Sequence, residues 1–160
     1  MNSYQMDPLG LVHLISALLA MIFGMVVIFN KKGTKFHIRF GYAYTVAMLV
    51  LNITAFMIYK LFGTFGPFHI AALISTASLL GGIIPVYLKK PEKGWLHLHY
   101  EFMNWSIIGL YAAFWSETFS RFFSFAGFWV LVATATAMTL AIGFYFLKKK
   151  KDEILSRFDV

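Results

Sequence analysis

The chain has 160 residues, 59% hydrophobic and only 13% charged, with a formal net charge of +7 and no cysteine. A soluble domain carries about a quarter charged residues, so this composition excludes an ordinary cytosolic fold. The missing cysteines exclude disulfides, thiolate zinc sites and iron–sulfur clusters.

The mean hydropathy of +0.70 reflects apolar runs near twenty residues long, separated by short basic segments. Such runs match the length a helix needs to cross a bilayer. The sequence therefore predicts an all-α polytopic membrane protein, a single domain over residues 1–160 whose main partner is the lipid bilayer. The Lys and Arg stand at the ends of the apolar runs, where they report topology and leave no nucleic-acid footprint.

Helix 1 is expected over about 9–29, after Asp7-Pro8. No Lys or Arg occurs in the first 30 residues, so the positive region of a signal peptide is missing and this run is expected to stay as a span. His13 is its one ionisable group, and Ser16, Ala17, Ala20 and Gly24 continue the same side at helical spacing. Small residues in that pattern let a neighbouring helix approach, or leave room for a flat cofactor.

Lys31-Lys-Gly-Thr-Lys-Phe-His-Ile-Arg39 is a basic loop in which Thr34 is a candidate N-cap. Capping there places His37 in the first turn of helix 2, expected over about 38–62, with Gly41, Tyr44, Met48 and Asn52 near the His37 side. Lys60 is expected to snorkel at the far end. After the turn Gly63-Thr-Phe-Gly-Pro67, helix 3 covers about 68–88, with Pro67 at its start and Pro85 near its end. His69 lies in its first turn, and Ala71, Ser75, Ser78 and Gly82 form a small-residue stripe.

A second basic loop, Lys89-Lys-Pro-Glu-Lys-Gly94, leads to helix 4 at about 95–119. Helix 5 spans about 124–147 and runs into Lys148–Lys151 and a charged tail. The segments 31–39, 89–93 and 148–157 hold all but two of the fourteen Lys and Arg. With five spans they fall on one side, which the positive-inside rule makes cytoplasmic. The N-terminus is then outside and the C-terminus inside. Helices 1–4 are expected to form a four-helix core with helix 5 peripheral to it.

This topology sorts the polar residues by level. His13, His69 and Glu117 lie at the outer edge; His37, His97 and His99 lie at the inner edge, with Glu101 and Asn104 nearby. His99 and Glu117 share one helical face, roughly 27 Å apart at about 1.5 Å per residue. Ionisable groups within spans are costly and point to function.

Two chemistries fit. In one, His13 with His69 and His37 with His99 are bis-imidazole pairs, each the axial ligand set of a b-type haem, and the two haems pass electrons across the membrane. The arrangement is similar to that of the ascorbate-reducible two-haem b cytochromes, which take one ligand from each of four consecutive helices. In the other, His13, His69 and Glu117 form a His₂Glu site for zinc or another divalent metal, with an open position for hydrolysis. Arg121, one turn from Glu117, competes as an ion-pair partner. His97 and His99 differ by about 200° around their helix and do not both face one metal. His99, on the Met103 and Ser106 face, is the better inner ligand. A non-catalytic assembly or scaffold subunit is the third reading.

The helix-1 His13, the segment His37-Ile-Arg-Phe-Gly41-Tyr-Ala-Tyr44 and His99-Tyr-Glu-Phe-Met103 resemble a bacterial membrane family known as domain of unknown function 2306. The resemblance covers about residues 10–120 and makes helix 5 an addition. It implies a multi-pass protein of a bacterial cytoplasmic (inner) membrane and no particular activity.

Overall fold

The computed structural model describes residues 7–59, 63–122 and 127–156. They form five helices, α1 (Pro8–Phe29), α2 (Lys35–Met57), α3 (Pro67–Leu88), α4 (Trp95–Phe122) and α5 (Phe128–Leu155). The backbone divides into two compact units, residues 1–76 and 77–160. Lys60 and the side chain of Arg121 lie outside the described residues, so the snorkelling and pairing expected of them do too.

In the first unit α1 and α2 pack as an antiparallel pair. His13 near the start of α1 meets Thr54 near the end of α2, and Phe23 further along α1 meets Phe40 near the start of α2. The buried face of α1 is Ser16, Ala17, Ala20, Gly24 and Val27, the small-residue side that the sequence predicts for close helix approach. From α2 come Tyr44, Ala47, Met48, Leu51, Asn52 and Thr54. Leu and Ile cover the opposite face of α1 and are exposed, as lipid contact requires. Lys32 closes the α1 C-terminus, its ammonium donating to the carbonyls of Val27 and Ile28 at 2.6 and 2.7 Å. That places a cation where the helix dipole is negative.

The second unit holds the end of α3 with α4 and α5. Glycines set its closest approaches. A Cβ on Gly82 would lie 2.7 Å from Met103 Sδ and 3.2 Å from the Met103 amide nitrogen, and one on Gly143 would meet Ile108 at 2.6 Å. α5 runs antiparallel along α4: Tyr100 donates to the Leu147 carbonyl at 3.2 Å, Trp105 stacks on Phe144, and Ser116 meets Thr136. Tyr100, Leu147 and Leu155 form a buried cluster with Leu96, Trp105, Ile108 and Ile154 around it.

α4 ends at Phe122 rather than near 119, and α5 begins at Phe128 rather than near 124. Three further boundaries differ from the expectation. α2 starts earlier, because Thr34 does cap it, accepting from the His37 amide at 3.1 Å. It also stops at Met57 rather than near 62, with Ile58 extended at φ −95 and ψ 104. α5 continues about two turns beyond the apolar run, through the lysines, because Lys151 pairs with Glu101 and Leu155 buries itself in the α4–α5 cluster. Four helices, α1, α2, α3 and α5, are long and apolar enough to cross a membrane. α4 is long enough but more polar, carrying Asn104, Ser106, Ser116 and Glu117 within its middle.

Candidate functional site

The first unit gathers polar groups at the end where α1 begins, α2 ends and α3 begins. The Thr54 hydroxyl donates back to the carbonyls of Val50 and Leu51, both at 2.9 Å. With its one proton so engaged, Thr54 Oγ1 accepts from His13 Nδ1 at 3.0 Å. The neutral His13 ring then carries its proton on Nδ1 and its lone pair on Nε2, the tautomer of a metal-ligating histidine.

His69 is wired the other way. Its Nδ1 accepts from the Gly66 amide at 3.1 Å, so the neutral ring carries its proton on Nε2. The ring is 4% exposed and lies against Tyr59 and Phe65, with centroids 4.6 and 4.9 Å away. Nε2 is buried and has no hydrogen-bond partner among the described residues. The same holds for the side-chain nitrogen of Asn52, a residue 5% exposed on α2. A buried donor without an acceptor costs about 1–3 kcal/mol, so two of them near one end of a small unit call for an explanation.

His37 sits in the first turn of α2, half-buried, behind the Thr34 cap. In the second unit, His99 Nδ1 lies 2.8 Å from the carbonyl of Gly82. A carbonyl only accepts, so His99 also has its proton on Nδ1 and its lone pair on Nε2. Met103 and Ser106, which share its face, are buried. His97 points elsewhere: its side chain is 43% exposed and lies 3.8 Å from Glu101, one turn on. Glu101 in turn holds Lys151 at 2.5 Å. Asn104 donates to the Tyr100 carbonyl at 2.7 Å. Glu117 is half-buried on α4.

Among the described residues, no three His, Asp or Glu side chains gather as the ligands of one metal ion. A hollow of about 550 Å³ between α1 and α2 is walled by residues such as Val12, Leu19, Val46 and Val50, with no histidine in its lining. It belongs to the lipid-facing side. The Thr54 acceptor and the Gly82 carbonyl escape a sequence reading. A threonine inside a span looks like a helix-packing residue, and a backbone carbonyl leaves no mark in the sequence.

The family model described as "Predicted membrane protein (DUF2306)" matches residues 10–150. No curated protein and no solved structure matches the chain. The match runs through the apolar part of α5, so helix 5 is shared with the family rather than added after residue 120. The chain belongs to this family of predicted membrane proteins.

Proposed function

We propose that this DUF2306 protein binds b-type haem at two membrane levels and passes electrons between them, with His13 and His69 as outer ligands and His37 and His99 as inner ligands. The observation that carries the reading is the buried Nε2 of His69, which has no hydrogen-bond partner among the described residues; to ligate haem, the ring would carry its proton on Nδ1 in place of the hydrogen bond from the Gly66 amide. His13 and His99 support it, because each anchors its Nδ1–H on an oxygen, the tautomer in which a histidine ligates through Nε2. Haem would supply reversible one-electron chemistry at each level.

The chain's own part is to orient the ligands. Thr54 and Gly82 fix two imidazole planes.

The membrane arrangement belongs to the same proposal. α4 crosses as a fifth span, the N-terminus is outside, and the three basic segments face the cytoplasm of a bacterium, where a redox partner docks.

Two experiments test this. Absorbance spectra of the detergent-purified protein, oxidised and then dithionite-reduced, with iron analysis on the same sample, should give sharp b-type bands and about two irons per chain, one for each bis-imidazole pair. A colourless, metal-free protein overturns the haem assignment. Because the chain has no cysteine, Lys93→Cys and Gly127→Cys can each be labelled alone with a membrane-impermeant maleimide in oriented vesicles. Labelling from opposite sides establishes α4 as a span; labelling from one side removes it.

A further inference from the structure

We propose that the end of α5 holds an anionic phospholipid, its phosphate between Lys148 and Lys149 and its upper chain against Phe144 and Tyr145. The apolar run of α5 from Phe128 to Leu147 is about 30 Å long at 1.5 Å per residue, the thickness of a bilayer's hydrocarbon. Lys148 and Lys149 therefore begin where lipid phosphates lie.

At this end α5 has two faces with different duties. Leu147, Lys151 and Leu155 turn toward α4, and the charge of Lys151 is spent on Glu101. Beside that face, Phe144, Tyr145, Lys148 and Lys149 line a notch of about 250 Å³. Each lysine stands one turn above an aromatic ring, with Lys149 Nζ 5.8 Å from the Tyr145 ring centre. Phe144 is held in place by stacking on Trp105.

No carboxylate among the described residues pairs with Lys148 or Lys149, unlike Lys151. Two consecutive lysines, each a turn above an aromatic ring and at phosphate depth, complement an anionic headgroup carried on an acyl chain. A soluble phosphate would have no use for the rings.

The test is native mass spectrometry of the whole protein in detergent, titrated with phosphatidylglycerol or phosphatidylcholine. The wild type should retain phosphatidylglycerol about thirtyfold better, the contribution expected of two lysines at an anionic surface. Lys148→Gln with Lys149→Gln should remove that preference, and the Arg pair at the same positions should keep it. Lys31→Gln with Lys35→Gln, the same charge loss elsewhere, should leave it unchanged. Equal retention of both lipids by the wild type overturns the proposal. So does an equal loss in the two Gln pairs, which would show only general charge attraction, or competition by millimolar inorganic phosphate.

Discussion

Both units fasten helices with polar side chains, as His13 does to Thr54 in the first, but they differ in the buried polar atoms left over. In residues 77–160 the polar side chains act as fasteners between helices: Ser116 bonds Thr136, Tyr100 bonds the Leu147 carbonyl, His99 bonds the Gly82 carbonyl, and Glu101 holds Lys151. In residues 1–76 two buried donors, His69 Nε2 and the Asn52 amide, have no acceptor among the described residues. Polar groups inside a membrane protein are costly whether or not they serve a ligand. The contrast separates those that hold the helices together from those that wait for something else.

The largest stability effect should come from tightening the second unit. Gly82→Ala puts a Cβ into Met103 and pushes at the carbonyl that anchors His99, which should cost about 1–3 kcal/mol as overpacking does. Thermal unfolding in detergent reads this; an unchanged melting temperature would mean that the α3–α4 approach is loose. The next pair sets the units against each other. Ser116→Ala should lower stability by about 1 kcal/mol through a lost hydrogen bond, while Asn52→Leu should raise that of the cofactor-free protein by about as much, by removing an unsatisfied donor. If Asn52→Leu also destabilises, the amide has an acceptor after all and the comparison fails. The smallest effect belongs to Glu101→Gln. Its pair with Lys151 is about a quarter exposed on each side, so the loss should be about 1 kcal/mol or less and should shrink further in high salt.

Much of this architecture is legible in the sequence because a bilayer simplifies the rules. Apolar length marks α1, α2, α3 and α5, Thr34 announces the start of α2, and the small residues of α1 mark its buried side. α4 is harder, because its polar residues are the ones that pack: Ser106 and Ser116 are each 2% exposed, and they lower the hydropathy of a helix that is buried rather than lipid-facing. The extension of α5 was hidden as well. Four consecutive lysines read as a solvated tail until Glu101 and the Tyr100 cluster are seen to receive Lys151 and Leu155. At the site, sequence locates the histidines, but only geometry separates them. His13 and His99 carry the proton on Nδ1, His69 on Nε2, and each state is set by a hydroxyl, carbonyl or amide that spacing does not reveal.

The most direct test of the central claim is haemin titration of the cofactor-free protein, followed by reduced-minus-oxidised absorbance, for the wild type, His69→Ala and His97→Ala. The account predicts that His69→Ala loses about half of the b-type absorbance, one of two bis-imidazole sites, while His97→Ala, whose partner is Glu101, loses none. Full absorbance in His69→Ala, or none in the wild type, would contradict it.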